Sequence, residues 1–279
     1  MGVLTSQKIS NYYDRFKDIH VTLTKDIIQA TGLLTQQVHL KSGNDFWPCV
    51  VYSSSFENAK IVANVGSGLL EKLKAANNFV SIRYSFKPAG EVNPVTFFVA
   101  GRITATAPYG NSEDVNLLTL QYTNRPPDDF IEIMGRVLDA HVNSTKRHDV
   151  RVLLNADTMR KLNILSCETV VHIERVPRRC ILRDLSFSGA KVIMMGVAKF
   201  LVDKEVMLRV EFNDPREFFS IKGSFVRAEK VEGKAELVAL AVNYDLQSVP
   251  MNYKIRLNDF LTATRADMRG AKEDDTPSK

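Results

Sequence analysis

Residues Ile181-Leu-Arg-Asp184-Leu-Ser186-Phe-Ser-Gly189-Ala-Lys-Val192 join two short β-type runs, Cys180–Asp184 and Ala190–Met194, through a stretch rich in Ser and Gly. Side chains alternate along a strand, so Asp184 and Ser186 share a face if the first run extends that far. The same residues suit a tight turn. Asp and Ser side chains cap their own backbone, and Gly189 is expected there at positive φ.

Upstream lies Arg147-His-Asp-Val-Arg151. Arginines at this spacing point the same way in a helix or in an extended segment. Each guanidinium is a planar fork of donors that fits a phosphate or the O6/N7 edge of guanine. A carboxylate such as Asp184 accepts from the opposite guanine edge, through N1–H and N2–H₂. Together the two stretches supply donors for phosphates and Hoogsteen edges, and an acceptor for the remaining edge. The plainer readings are a solvated basic linker at Arg147 and Arg151 and a self-capped turn at Asp184–Gly189.

Outward from this pair, most of the chain is punctuated β-type sequence. Runs at Gln37–Leu40, Trp47–Ser53, Lys60–Val65, Phe79–Phe86, Thr96–Ala105 and Leu117–Tyr122 are separated by Gly, Pro, Asn and Ser. A second series follows at Val170–Glu174, Cys180–Asp184, Ala190–Met194, Glu205–Phe212, Phe218–Ala228 and Leu237–Tyr244. Many short strands with turn signals predict small barrels or sandwiches. Helical spacing appears over residues 8–20, 128–143 and from Tyr253 to Thr264, with a short helix at Leu69–Ala76. The polar, basic Asn143-Ser-Thr-Lys-Arg147 reads as a joint. It divides the chain into an N-terminal domain (1–142), a second domain (143–265) and a polar tail (266–279) expected to be disordered. Both blocks run strands first and helix last, but no residue-by-residue repeat is evident.

Composition narrows the function classes. A chain of 279 residues accommodates two domains. Its +5 net charge suits an anionic partner but is too mild to require nucleic acid. No apolar run approaches a membrane span, so no membrane insertion is expected. Met1 to Phe16 lacks a secretory pattern. Cys49, Cys167 and Cys180 form no CxxC, and the histidines form no close ligand pair. A reducing cytoplasm is therefore expected, with no metal and no cofactor. No nucleophile–base pair appears, which argues against an enzyme.

The RxxxR and DxSxxG pair, with Gly223-Ser-Phe-Val-Arg227 and Leu237–Val242 beyond it, resembles the cyclic di-GMP-binding signature of PilZ domains. The first block is similar in layout to the N-terminal barrel of YcgR-type proteins, and the whole chain to the tandem-barrel spirochaetal PlzA type. The resemblance implies a mainly β protein. It would consist of two small antiparallel β-barrels, each with an accompanying helix, the PilZ barrel on the C-terminal side. It also implies a bacterial, non-enzymatic cyclic di-GMP receptor. Arg147, Arg151, Asp184, Ser186 and Gly189 would hold the ligand, flanked by Lys146 and His148 adding charge or stacking. Ligand would order the joint and reset the interdomain angle. The output would reach a protein partner, flagellar or regulatory, in control of motility or virulence.

Competing features read as structure. Arg175-Val-Pro-Arg178-Arg179 is also RxxxR, but if Val176-Pro177 is a turn, Arg179 lies roughly 16 Å along the strand from Asp184. Gly66-Ser-Gly68 reads as a turn rather than a phosphate loop, Asp128-Asp129 as a helix start, and Trp47 as core. Two functional alternatives stand beside the receptor. One is a basic β-barrel that binds nucleic acid; against it, Phe and Tyr fall in apolar-patterned runs rather than between Lys and Arg. The other is a PilZ-like scaffold that binds no ligand.

Overall fold

The computed structural model describes residues 5–66, 68–147 and 149–273. The chain divides into two compact units, residues 1–139 and 140–279. The first contains α1 (Ser6–Phe16), β1 (Val21–Thr22), α2 (Lys25–Thr31), β2 (His39–Ser42), β3 (Asp45–Ser54), β4 (Asn58–Asn64), α3 (Leu69–Ala75), β5 (Phe79–Phe86), β6 (Val95–Tyr109) and β7 (Ser112–Tyr122). It also holds the start of α4 (Asp128–Lys146), which runs on into the second unit. Strands pair antiparallel in the order β3-β2-β5-β6-β7-β4, and β4 returns to β3 to close a six-strand barrel. β1 is appended to β3.

The second unit contains β8 (Val152–Leu153), α5 (Ala156–Leu162), β9 (Glu168–Ile173), β10 (Val176–Leu185), β11 (Gly189–Met195), β12 (Glu205–Phe212), β13 (Glu217–Lys230), β14 (Leu237–Tyr244) and α6 (Met251–Glu273). Its circuit, β10-β9-β12-β13-β14-β11 and back to β10, repeats the first, and β8 hangs on β10 as β1 hangs on β3. The register coincides as well. Thr22 pairs with Ser53 and Leu153 with Asp184; Ser53 pairs with Lys60 and Asp184 with Lys191. Aligned by these pairs, Cys49 matches Cys180, and Ser55-Phe-Glu-Asn-Ala-Lys60 matches Ser186-Phe-Ser-Gly-Ala-Lys191. One fold is used twice, which sequence reading alone left open.

Each barrel is filled by the inward residues of its strands and by an aromatic from its last helix. Phe130 of α4 lies among Tyr84, Phe86, Phe97 and Tyr122, with ring centroids 5.0–6.4 Å away. Tyr253 of α6 takes the equivalent place beside Phe212, Phe219 and Tyr244. Full burial of one such ring stabilises by about 1.5–3 kcal/mol, which ties each closing helix to its barrel.

Several details depart from the sequence reading. Glu174 and Arg175, not Val176-Pro177, form the β9–β10 turn; both have positive φ, as a two-residue hairpin loop requires. Pro177 lies within β10 opposite His172, where its other side has no paired strand and a missing N–H costs nothing. Gly189 is not among the positive-φ glycines. Its missing side chain serves β11–β14 packing instead, because a Cβ there would meet the Val242 carbonyl oxygen at 2.2 Å. α4 continues to Lys146, so residues 143–146 of the expected joint are helical. α6 is described through Glu273, and residues 274–279 of the expected tail lie outside the described residues. Two short helices, α2 and α5, carry too few apolar residues to show periodicity. Their caps were readable: Thr24 before α2 with Gly32 after it, and the Asn155–Thr158 capping box before α5 with Asn163 after it. Trp47 is buried, as expected for core.

Candidate functional site

The site is assembled by β8. Its two residues pair with the end of β10, Val152 with Leu185 and Leu153 with Asp184. That register sets the preceding residue, Arg151, at the mouth of the β10–β11 turn. Arg151 Nη1 donates to Asp184 Oδ1 at 2.6 Å. Asp184 is 5% exposed, while the Arg151 side chain is 44% exposed. A buried carboxylate is costly unless a donor reaches it, and Arg151 is that donor.

Arg147 stands at the exit of α4. Its N–H donates to the Asn143 carbonyl at 2.8 Å, and its own carbonyl accepts from Val150 N–H at 3.1 Å. This turn leads from α4 toward β8. Asn143 is buried, and its Nδ2 donates to Asn258 Oδ1 at 2.9 Å, which anchors the helix end on α6. Lys146 is exposed in the last turn of α4. His148 lies outside the described residues.

Ser186 is fully buried, and its hydroxyl is engaged within the turn. It accepts from Gly189 N–H and donates to the Gly189 carbonyl, both at 3.0 Å. Ser186 N–H donates to the same carbonyl at 2.8 Å. Ser186 and Gly189 therefore shape the loop behind Asp184. From α6, Tyr253 Oη donates to the Ser186 carbonyl at 2.8 Å. Burial pushes the Tyr253 phenol well above its ordinary range, with Tyr244 and then Asp184 adding to the rise, so it remains a donor. Lys191 sits across the strand pair from Asp184, but its ammonium binds Glu229 at 2.6 Å.

Arg151 and Asp184, which the sequence reading singled out, thus meet in space. Arg178 and Arg179 do not join them; they pair along β9, with Arg179 opposite Val170. The sequence places Tyr253 on the last helix but not at the site, since no spacing rule links a helix tyrosine to a turn 67 residues earlier. In the first barrel the turn is kept: Asn58 N–H donates to Ser55 Oγ at 3.1 Å and Ser55 N–H to the Asn58 carbonyl at 2.8 Å. The ion pair is not kept, because His20 stands where Arg151 would be and Ser53 where Asp184 would be. Among the described residues, no helix is long and apolar enough to cross a membrane.

The PilZN3 domain model matches residues 7–141, which hold the first barrel. A cyclic di-GMP binding protein of Treponema denticola is 41% identical over 266 residues, covering 95% of this chain and 85% of that protein. The chain belongs to the family of that treponemal protein. It is also similar to the solved structure of Borreliella burgdorferi PlzA in complex with c-di-GMP, at 22% identity and TM-score 0.42, over 92% of this chain and 99% of that one. Escherichia coli YcgR in complex with c-di-GMP aligns at 12% identity and TM-score 0.30, over 89% and 91%.

Proposed function

We propose that this chain is a non-enzymatic cyclic di-GMP receptor whose second barrel holds the ligand. The observation that carries the reading is the Arg151–Asp184 pair at the β10–β11 turn, with Arg147 one turn upstream. Ligand-free, the guanidinium and carboxylate satisfy each other. A guanine entering between them gives each a better-matched partner: Arg151 meets O6/N7 or a phosphate, and Asp184 accepts from N1–H and N2–H₂. Arg147 adds a second cation for the doubly charged ligand. Ser186 and Gly189 hold the turn, while Lys146 and His148 flank the clamp. The first barrel, with His20 and Ser53 in the equivalent places, is not the ligand site. The name of the treponemal relative, a cyclic di-GMP binding protein, supports the same ligand.

The clamp begins where α4 ends, so ligand orders residues 147–151 and resets the angle between the barrels. The changed surface is read by a protein partner in the bacterial cytoplasm, in control of motility or virulence. Calorimetric titration with cyclic di-GMP, with GMP as control, tests the ligand; no heat with either removes the receptor reading and leaves a non-binding scaffold. Hydrogen exchange across residues 142–151 and distances between spin labels on the two barrels test the switch. Saturating ligand should slow exchange there and shift or narrow the distances; unchanged values would confine the effect to local occupancy.

A further inference from the structure

The two barrels treat one buried tyrosine differently. Tyr244 ends β14 and Tyr122 ends β7 at the equivalent place. The N–H of each donates at 2.8 Å to a carbonyl of the turn it faces, Ser188 and Glu57 respectively. Both side chains are buried. The Tyr122 hydroxyl is engaged, 2.8 Å from Tyr84 Oη and 3.0 Å from Ser54 Oγ. The Tyr244 hydroxyl has no hydrogen-bond partner among the described residues. Strand register gives the reason. Leu185, opposite Ala190, takes the place of Ser54, opposite Ala59. Val210, opposite Phe219, takes that of Tyr84, opposite Phe97.

The orphaned hydroxyl belongs to the barrel that carries Arg151 and Asp184, and it feels both charges. Burial pushes the Tyr244 phenol up; the Tyr253 hydroxyl alongside opposes the rise, Asp184 adds to it and Arg151 opposes it. Tyr244 therefore stays protonated, with one O–H to donate. The Tyr253 ring stands 6.1 Å away at 82°, and its own proton goes to the Ser186 carbonyl. A buried hydroxyl without a partner destabilises a fold, and Phe would fill the same space without the oxygen. The first barrel shows that this fold is able to supply partners. The second supplies none and keeps the hydroxyl.

We propose that Tyr244 is a positioning residue of the cyclic di-GMP site, its hydroxyl held in reserve for the Asp184 carboxylate. The inference rests on the receptor reading of that site. In the free protein Arg151 Nη1 donates to Asp184 at 2.6 Å. When the guanidinium turns to the ligand, the buried carboxylate loses that donor. The Tyr244 O–H then reaches Asp184 from the core side, while the guanine N–H groups arrive from the mouth of the turn. The carboxylate stays ionised and aimed as an acceptor. The hydroxyl thus opposes stability without ligand and adds affinity with it, because only the complex pairs it.

The test is calorimetric titration of the full chain with cyclic di-GMP, paired with thermal unfolding in the absence of ligand. Tyr244→Phe should weaken binding about tenfold or more, the worth of a hydrogen bond to a charged group. Its unfolding midpoint without ligand should stay or rise. Tyr122→Phe should do the reverse, with unchanged affinity and a lower midpoint, because Tyr84 and Ser54 lose a partner. Adding Tyr244→Phe to Asp184→Asn should weaken binding by less than about twofold further, since the hydroxyl acts through that carboxylate. An unaltered chain that takes up no cyclic di-GMP would overturn the receptor reading, and this role with it. If the unaltered chain binds, four results would each overturn the role of Tyr244 alone. These are equal affinity in Tyr244→Phe, a lowered midpoint beside its weakened binding, the same binding loss in Tyr122→Phe, and full additivity with Asp184→Asn.

Discussion

Arg151 and Asp184 are 33 positions apart in the chain, yet Nη1 of one donates to Oδ1 of the other at 2.6 Å. The pair is stabilising because Asp184 is buried, and modestly so because solvent screens the half-exposed arginine. Arg151→Ala should therefore lower the stability of the second barrel by about 1 kcal/mol. It should weaken cyclic di-GMP binding by about 1–3 kcal/mol. Arg179→Ala should change neither. Thermal unfolding and calorimetry on the two variants decide it; a silent Arg151→Ala with a non-binding Arg179→Ala would move the clamp to β10.

Asp184→Asn keeps the shape but turns one acceptor into a donor. Facing Arg151 in the free protein and guanine N–H groups in the complex, that donor has no partner. The loss of ligand affinity should be about 2 kcal/mol or more, the cost of a buried unpaired group added to a lost charge-assisted bond. Equal affinity of Asn and Asp variants in the same titration would mean that this side chain points away from the base.

Gly189→Ala should destabilise the second barrel by about 2 kcal/mol through overpacking, because its Cβ would sit 2.2 Å from the Val242 carbonyl oxygen. Gly223→Ala should behave alike, with the Asn243 carbonyl oxygen at 2.3 Å. The backbone on both sides of these contacts is paired and cannot give way. Urea unfolding measures both, and a neutral Gly189→Ala would show that β11 and β14 can separate.

Burial pushes the thiols of Cys49 and Cys180 from 9.0 up to about 12. The fold therefore favours the protonated thiols. Their contribution is complete below the unfolded value near 9 and is lost as pH rises toward 12. Stability should fall across that interval and less steeply in a Cys49→Ala, Cys180→Ala protein. A maleimide at pH 8 should label only Cys167, which is partly exposed, until the chain is unfolded. Native labelling of Cys180 would mean that β10 opens on the labelling timescale.

Much of the barrel architecture was legible because strand alternation and turn residues act locally. The runs around Trp47–Ser53 and Phe79–Phe86 matched strands to within a few residues, and the closing helix announced itself through Asp128, Phe130 and Val137. The β9–β10 turn was misplaced by two residues because proline is a strong turn former and its tolerance on an unpaired stretch of strand is a property of neighbours. α2 and α5 were overlooked because each is only 7 residues long and signals through caps rather than periodicity.

The duplication shows where local reading ends. Ser55-Phe-Glu-Asn-Ala-Lys60 and Ser186-Phe-Ser-Gly-Ala-Lys191 are visibly alike once Thr22–Ser53 and Leu153–Asp184 have set the frame, and unremarkable before. The frame comes from hydrogen bonds between strands far apart in sequence.

By itself the sequence determined the kinds of group available: two arginines at a shared spacing, a carboxylate beside a Ser–Gly turn, and two series of alternating runs able to close on themselves. These follow from backbone sterics and side-chain chemistry, which each residue carries wherever it is placed. Only the tertiary structure decided which groups meet. β8 hydrogen-bonds to the end of β10 and sets Arg151 on Asp184, and Tyr253 ties Ser186 to the last helix. Such meetings depend on antiparallel register, and register is settled by burial of a whole barrel's inward face rather than by any one stretch of chain.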